Sequence, residues 1–515
     1  MKQRFALVGS PINRSVAISS DGAKDQRFVN CFPEITRNPV TGKGTLFLVK
    51  RIGTSGTNCA GASYLGAPGA VVWTGFSTGA KGAFCYLNGT TLQVWDTARA
   101  QIGGNPTAHT TGFTSWTRLS ETVLTGTANL VLLAKESATG RPYGWYYPEG
   151  GAWTEITDGD FPPNQGTPLT MVGNAVHMDG YMFVMCSNGQ IWNSDLNSVS
   201  AWTSTSFTTA QVYPDGGVGL ARIKNTILAF GTQSVEFFQN TGNATGSPLT
   251  RIPSATIKVG AVTSAQGNAE VIKTINDEVF FIGSAADSGN IGVYKISGFQ
   301  ATKISNAAID KYLQFTQING VTMGIAGAMV MNGMTHLVLA VNDYTYGIPC
   351  YCLETGVWWY LEVAGNLTAR NSAVTACLGL NGEGYFNTVI NGSSQGRKLF
   401  VTTHSTNGYG DDDGSAYLMS VQTLADDYGS DNLKECTAFR LIADTQSVSG
   451  NATVSYSDND GVSFSTAKNI DMTQKQKKLD AGLGWFRTRS WKISETVARM
   501  FRASAYEVEW DVSEE

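Results

Sequence analysis

The sequence predicts an all-β protein: a β-propeller of about six blades with an additional small β-sandwich or platform region. Three observations predict it. A unit of apolar strand, polar turn and aromatic-rich strand recurs six times, and such a hairpin buries its apolar face only by stacking on its neighbours. Glycine contributes 58 residues while charged residues are only 15% of the chain. Near the C-terminus, "ATVSYS" and "YEVEWDV" alternate with the period of two that is typical of half-buried strands.

The six repeats carry the propeller prediction. Each contains an aromatic anchor, and successive anchors are 45 to 57 residues apart, the length of one four-stranded blade with variable loops. The anchors are Trp95, Trp145, Trp192, Phe237, Tyr294 and Tyr351.

Composition shifts divide the chain into four regions. Residues 1–55 form lead-in strands that are part of the platform, and residues 56–365 form the propeller. Residues 366–435 form an acidic connecting or nozzle region, and residues 436–515 a C-terminal β-rich platform region. One helix, "SNAAIDKYLQ", is expected between the fifth and sixth repeats, with Ser305 or Asn306 as its N-cap.

Composition also excludes several classes of function. The net charge of −5 argues against a globally basic nucleic-acid binder. No apolar run reaches the ~18 residues of a membrane helix, and the N-terminal apolar stretch is too short for a signal peptide. We therefore expect a protein made in the cytoplasm without a membrane segment. The cysteines lack paired C-x-x-C knuckles, so buried free thiols are expected.

Catalytic and metal motifs are not found. The four histidines are isolated, without zinc-binding spacing, and neither a nucleophile elbow nor a phosphate loop occurs. We expect no catalytic residue, cofactor or metal, and hence no enzyme. The segment "SDNDGVSF" has some features of a calcium loop and of the aspartate box of sialidases. Tyr456 and Ala467 occupy two positions where a calcium loop needs ligands, so an Asx-stabilised hairpin turn is favoured.

Two charged segments are candidate functional surfaces. We predict that Asp411, Asp412 and Asp413 line a channel, where acidic side chains would repel DNA phosphates and let DNA slide; a solvated acidic loop is the alternative. The last eighty residues contain a basic segment interleaved with aromatic residues, a combination common in binding hot spots. The alternative is that these basic side chains lie on the solvent-exposed faces of strands. The candidate interface residues are Arg487, Arg489, Lys492, Arg499 and Arg502.

Several segments together resemble the tail-hub proteins of short-tailed bacteriophages, also called packaged-DNA-stabilisation or tail-nozzle proteins. The main similarity runs from Ile227 to Asn268 and includes the aromatic pair with Glu in Ser234–Phe238 and the Lys-x-Gly at 258–260. The lead-in "DQRFVNCFPEI", the helix "ISNAAIDKYLQ" and the closing "SYSDNDGVSF", "WFRTRSWKI" and "ARMFRASAYEVE" are similar in type and order.

The resemblance implies a structural virion protein and no catalytic residue. Its homo-hexamer would form the tail hub or nozzle, retain packaged DNA and provide the channel for its ejection. Its partners would be the portal and head-to-tail adaptor, tail fibre, tailspike or needle proteins, and genomic DNA passing without sequence-specific binding. The alternative function is a glycan-binding or sialidase-like glycan-cleaving propeller, for which Trp73, Trp116, Trp153 and Trp202 could stack on sugars.

Overall fold

The structure is a computed structural model. It describes residues 1–8, 26–37, 44–58, 69–88, 90–98, 100–106, 109, 111–124, 126–243, 245–263, 270–285, 289–318, 323–341, 347–362, 372–390, 398–402 and 416–512. Asp411, Asp412, Asp413 and Cys59 lie outside these ranges.

The chain begins with five strands that serve two different parts of the fold. Four of them enter the platform, and the fifth pairs with a strand of the propeller more than 300 residues later in the chain. They are β1 (Lys2–Ala6), β2 (Arg27–Val29), β3 (Cys31–Arg37), β4 (Gly44–Lys50) and β5 (Thr54–Asn58).

The first three blades are antiparallel sheets formed in chain order. Blade one contains β6 (Gly69–Trp73), β7 (Lys81–Asn88) and β8 (Thr91–Asp96). Blade two contains β9 (Phe113–Leu124), β10 (Thr127–Glu136), β11 (Pro142–Pro148) and β12 (Thr154–Glu155), and a short 3-10 helix follows at Pro162–Asn164. Blade three contains β13 (Met171–Met178), β14 (Tyr181–Cys186), β15 (Gln190–Ser194) and β16 (Trp202–Thr209).

Blades four and five continue the pattern and are followed by the predicted helix. Blade four contains β17 (Gly217–Ile223), β18 (Thr226–Gly231), β19 (Val235–Asn240) and β20 (Leu249–Ile257). Blade five contains β21 (Val259–Ala261), β22 (Ile272–Ile275), β23 (Glu278–Ala285), β24 (Ile291–Ser297) and β25 (Gln300–Lys303). Helix α1 (Ala307–Ile318) confirms the helix prediction. The side-chain oxygen of Asn306 accepts a hydrogen bond of 3.0 Å from the Ile309 amide, which identifies Asn306 as the N-cap.

Blades six and seven are part of a larger, thirteen-stranded sheet. Blade six contains β26 (Met323–Met331), β27 (Met334–Val341), β28 (Ile348–Cys352) and β29 (Val357–Leu361). Blade seven contains β30 (Ser372–Leu380), β31 (Glu383–Ile390) and β32 (Lys398–Thr402), completed by β5 from the N-terminal region. These three strands lie within residues 366–435, so the propeller extends beyond the predicted boundary at residue 365.

Apolar clusters between neighbouring blades show that the ring is closed. Separate clusters join blades one and two, two and three, and three and four, and a larger one joins blades four, five and six. Phe84 and Tyr86 of blade one pack with Ala376 and Leu378 of blade seven. The propeller prediction is confirmed. Within the described residues, five separate sheets and two groups of the thirteen-stranded sheet form the ring.

The six aromatic anchors occupy one equivalent position. Each is paired in register with an apolar residue of the preceding strand, as in Leu132 with Trp145 and Leu228 with Phe237. The anchor lies on the third strand of its blade, except in blade five, where β21 and β22 both pair with β23 and the anchor Tyr294 lies on β24. In blade seven the same register pairs Phe386 with Phe400.

The platform is a β-sandwich made from both chain ends. Its C-terminal strands are β33 (Met419–Gln422), β34 (Lys434–Ala443), β35 (Asn451–Ser457), β36 (Lys468–Asp471), β37 (Lys477–Leu479), β38 (Trp485–Phe486), β39 (Ser490–Glu495) and β40 (Arg502–Val512). One sheet has the order β3-β4-β40-β34-β37, with β1 on β40 and β38 on β34. The other, β36-β35-β39-β33-β2, continues through β29 into blade six. Phe439 of the first sheet packs on Trp491 of the second, with ring centroids 4.5 Å apart.

Candidate functional site

Two of the predicted interface residues are buried inside the platform. Arg489 is fully buried, and its Nε and Nη2 donate to the two carboxylate oxygens of Asp458 at 2.6 and 2.8 Å. Its guanidinium lies 3.8 Å from the ring centroid of Tyr456 and 4.3 Å from that of Phe486. The bidentate ion pair and the two aromatic contacts are all made within the chain. Arg489 therefore stabilises the sandwich and is not on an accessible surface.

Arg499 is held in a similar way. It forms a buried ion pair with Glu495, and its Nη1 donates to the carbonyl oxygens of Val448 at 2.8 Å and Gly450 at 3.2 Å. Burial raises the pKa of Glu495, and Arg499 opposes that rise. Arg499 therefore fixes the turn before β35, and its prediction as an interface residue is not supported by its position.

The other three basic residues remain accessible. Arg487 is exposed and donates to the Asp431 carbonyl oxygen at 2.6 Å. Lys492 is half-buried, and Arg502, also half-buried, stacks 3.9 Å from the Phe47 ring centroid. Trp485, two residues from Arg487, is also exposed, with 51% of its surface accessible. Strand β38 is only two residues long. The alternation of apolar and polar residues over so short a strand does not indicate which side chain is exposed to solvent.

The acidic segment is only partly described. Asp411, Asp412 and Asp413, the predicted channel residues, lie outside the described residues. Asp426 and Asp427 form turns: their side-chain oxygens accept hydrogen bonds from the amides of Tyr428 at 2.6 Å and Gly429 at 2.9 Å. These two aspartates thus have a local structural role.

The segment "SDNDGVSF" forms a polar hairpin turn, as predicted. Asn459 Oδ1 accepts a hydrogen bond from the Ser463 amide at 3.0 Å, and Ser457 Oγ accepts one from the Gly461 amide at 2.9 Å. Asp458 is engaged by Arg489. Across the part of the chain that the structure describes, no group of three metal-binding side chains comes together.

A buried polar cluster joins the propeller to the platform. Arg51 is fully buried at the start of the connection from β4 to β5, and it donates to Asn30 Oδ1 at 2.8 Å and to the carbonyl oxygens of Ile52 and Glu362, both at 3.0 Å. Asn30 Oδ1 also accepts from the Glu362 amide at 3.0 Å. The Tyr417 ring stacks on Arg51, 3.8 Å from the guanidinium carbon. The cluster ties the end of blade six to platform strands on both sides.

The propeller contains a cavity of about 130 Å³ on the inner strands of blades two to five. Its charged lining residues are Arg118, Lys135 and Glu270, and Trp116 forms an apolar wall. Among the lining residues in the described part of the chain, Glu270 is the one carboxylate. It forms an ion pair with Lys273. A glycosidase of the usual type needs two positioned carboxyl groups, and the cavity does not supply them.

Comparison with protein families identifies the propeller. Residues 141–372 match the model of the phage-stabilisation family, described as Bacteriophage P22 Gp10, beta-propeller. This part of the chain is similar to the phage-stabilisation family. The match runs from the residue before β11 to the first residue of β30, and it includes the segment Ile227–Asn268 on which the resemblance is based. The resemblance to phage tail-hub and DNA-stabilisation proteins is thereby confirmed, and the family is one of phage structural proteins.

Solved structures resemble the chain much more weakly. A computationally designed protein, Ika8, is 12% identical, with a TM-score of 0.35 over 67% of this chain and 89% of its own. An exo-β-1,3-galactanase from Phanerochaete chrysosporium is 11% identical, with a TM-score of 0.28 over 87% of this chain and 100% of its own. No curated protein matches the sequence significantly.

Within the described residues, no helix is both long and apolar enough to cross a membrane.

The described cysteines are free and buried. Burial raises the pKa of the Cys85 thiol to about 12 and that of Cys352 to about 11, which keeps these thiols protonated and unreactive at neutral pH.

Proposed function

We propose that this chain is the tail-hub or nozzle protein of a short-tailed phage virion, where it retains packaged DNA and forms the channel for its ejection. The observation that carries the proposal is the family match across blades two to six. The cavity, which lacks a second carboxylate among its described lining residues, gives no support to the glycan-cleaving alternative. The protein would be made in the host cytoplasm and reside in the virion tail.

The proposed assembly is a homo-hexamer around the tail axis, in contact with the portal or head-to-tail adaptor and with tail fibre, tailspike or needle proteins. Two features support the proposed assembly: a rigid connection between platform and ring, and an exposed pair of residues of the kind found in interfaces. The platform and blades six and seven share one apolar cluster, so a load on the platform reaches the ring directly. The accessible Trp485 and Arg487 offer an aromatic and an Arg side chain at one edge of the platform, and such residues are enriched in interface hot spots.

Particle mass tests this assembly. Native mass spectrometry of the purified chain with its portal and adaptor proteins should give a ring of six copies bound to them. The double substitution Trp485→Ser with Arg487→Ser should reduce binding to a neighbouring tail protein by about tenfold or more, as expected for hot-spot residues. Val462→Ser, which changes another exposed platform residue, serves as the control. A chain that stays monomeric with portal and adaptor present and binds oligosaccharides would contradict the proposal.

The proposed channel role of Asp411, Asp412 and Asp413 is tested in the virion. Replacing all three with Asn removes the repulsion between the channel wall and DNA phosphates. Phage carrying this chain should assemble normally and eject DNA more slowly, by several-fold in a time course of DNA release, with the largest difference at low salt because salt screens exposed charges. Asp480→Asn, at an exposed platform position, is the matched control. Ejection at the normal rate would remove these residues from the channel wall.

A further inference from the structure

The inner strands of the propeller are interrupted at one level of the ring. The pairing register shifts between Val172 and Val176 in β13 and between Gly217 and Gly219 in β17. In blade two it shifts between Ala134 and Glu136 of β10, so Lys135 lies at the irregularity. Bulges redirect side chains and often occur beside functional sites. Here they open the cavity between blades two and five.

Two glycines, one on β13 and one on β17, allow these neighbouring strands to approach each other closely beside the cavity. Gly173 has a φ of +66°, and a Cβ there would lie 2.5 Å from the Cα of Gly219. The two strands can approach this closely only because both positions lack side chains. The resulting cavity of about 130 Å³ holds several water molecules or one small ion, because one water needs roughly 10–15 Å³ of such space.

The cavity carries an excess of positive charge. Arg118 is buried and its guanidinium carbon lies 5.1 Å from the Trp116 ring centroid, while Lys135 Nζ lies 4.6 Å from the same centroid. The carboxylate in the lining, Glu270, is ion-paired with Lys273, and its charge also opposes the lowering of the Arg118 pKa by burial. With Arg118, Lys135 and Glu270 together, the lining carries one net positive charge. Burial lowers the pKa of Lys135, and the neighbouring Arg118 lowers it further. Two cations that share one indole ring in a partly desolvated space are stabilised by an added anion.

One uncharged polar atom in the lining narrows the choice of anion, in addition to Oε1 of the Glu270 carboxylate, which also has no hydrogen-bond partner in the described structure. The side-chain oxygen of Asn174 is buried and has no hydrogen-bond partner in the described structure. A buried acceptor without a donor is costly. Sulfate and phosphodiesters offer only acceptors at neutral pH, whereas a hydrogen phosphate group has acceptor oxygens for the two cations and a hydroxyl that can donate to Asn174.

We propose that this cavity binds a hydrogen phosphate group, with Arg118 and Lys135 bound to its oxygens and Asn174 Oδ1 accepting a hydrogen bond from its hydroxyl. The ligand is inorganic phosphate, which keeps at least one hydroxyl at neutral pH, whereas a phosphate monoester is mostly ionised to a form without one. The site lies inside a single chain, so it is independent of the proposed tail-hub function and can be tested on the isolated protein.

Isothermal titration of the full chain with inorganic phosphate at neutral pH tests the site, with sulfate at equal ionic strength as the comparison. We expect one saturable site per chain that binds phosphate about tenfold more tightly than sulfate, the effect of one hydrogen bond. Lys135→Gln should weaken phosphate binding by about tenfold or more, the loss of a charge-assisted contact. Asn174→Ala should abolish the preference for phosphate over sulfate, while sulfate binding is retained.

Lys258→Gln is the matched control, because Lys258 is exposed on the propeller away from the cavity lining; it should bind like the unmodified chain. Circular dichroism establishes whether each variant is folded. If the Lys135→Gln chain does not fold, the binding of phosphate and sulfate to the Asn174→Ala chain tests the proposal. The absence of saturable binding to the unmodified chain would overturn the proposal. Equal affinity for phosphate and sulfate would also overturn it, as would a folded Lys135→Gln chain that binds phosphate normally.

Discussion

The propeller and the platform are stabilised in different ways. In the propeller, neighbouring blades meet through separate apolar clusters, such as the one around Trp73 and Trp145 between blades one and two. In the platform and its junction, fully buried cations are bound within the chain. Lys50 donates to the Val497 carbonyl oxygen at 2.7 Å and Lys434 to that of Asn432 at 2.8 Å, in addition to the Arg489 and Arg499 pairs.

The difference follows from how each region is connected. A blade is a local meander, so neighbouring strands are neighbours in sequence and apolar alternation is enough to pair them. The platform instead joins strands from the two ends of the chain, as in β1 with β40 and β2 with β33. Buried cations with several fixed acceptors favour one arrangement of such distant segments, since any other leaves a charge without partners.

The largest expected effect comes from breaking the junction. Arg51→Met keeps the length of the side chain but removes the hydrogen bonds that Arg51 donates to Asn30 Oδ1 and to the carbonyl oxygens of Ile52 and Glu362. Asn30 Oδ1 keeps the Glu362 amide as a donor, so the two carbonyl oxygens lose most. We expect a loss of about 3–5 kcal/mol in the free energy of unfolding, because each buried group left unsatisfied costs about 1–3 kcal/mol. Urea unfolding measures the loss of free energy. In hydrogen exchange, the backbone amides of blades six and seven should lose more protection than those of blade three.

Arg4→Met controls for the loss of a guanidinium, because Arg4 is exposed on β1. It should change the free energy of unfolding by no more than about 0.5 kcal/mol. If Arg51→Met destabilises all blades equally, the junction is not a local link between the platform and blades six and seven, and the distinction between the two regions fails.

The same difference explains what could be predicted from the sequence. The six anchors lie on equivalent strands because each depends on contacts made within its own hairpin. Blade seven was missed because its fourth strand, β5, precedes the other three by more than 300 residues and leaves no repeat in a linear reading. The burial of Arg489 was missed for the same reason: its partner Asp458 is on a separate hairpin, and a basic segment gives no indication of which of its charges are paired.

The cavity was also beyond prediction from sequence. Trp116, Lys135 and Asn174 lie on different blades or strands and meet only because the register shifts at one level of the ring. Glycine is so frequent in this chain that Gly173 and Gly219 could not be distinguished from ordinary turn glycines.

A smaller effect is expected from His336, which lies in blade six and faces the platform. Its imidazole is fully buried, its ring centroid lies 4.5 Å from that of Phe32 in β3, and its Nδ1 accepts a hydrogen bond of 3.1 Å from Trp359 Nε1. Burial lowers the pKa of His336 to about 3. A protonated ring would direct an N–H at the Trp359 donor, so the folded protein holds this histidine neutral.

Because the unfolded chain takes up this proton near pH 6.5 and the folded chain only near pH 3, stability falls as the pH decreases between these values. The contribution of His336 should lower the free energy of unfolding by at most about 2 kcal/mol from pH 7 to pH 5. His336→Phe should reduce this slope in urea unfolding measured at several pH values. His177, whose pKa is also lowered by burial, is present in both proteins, so the difference between them isolates His336. An unchanged slope would show that the pKa of His336 is the same in the folded and the unfolded chain, so that the junction does not hold this histidine neutral.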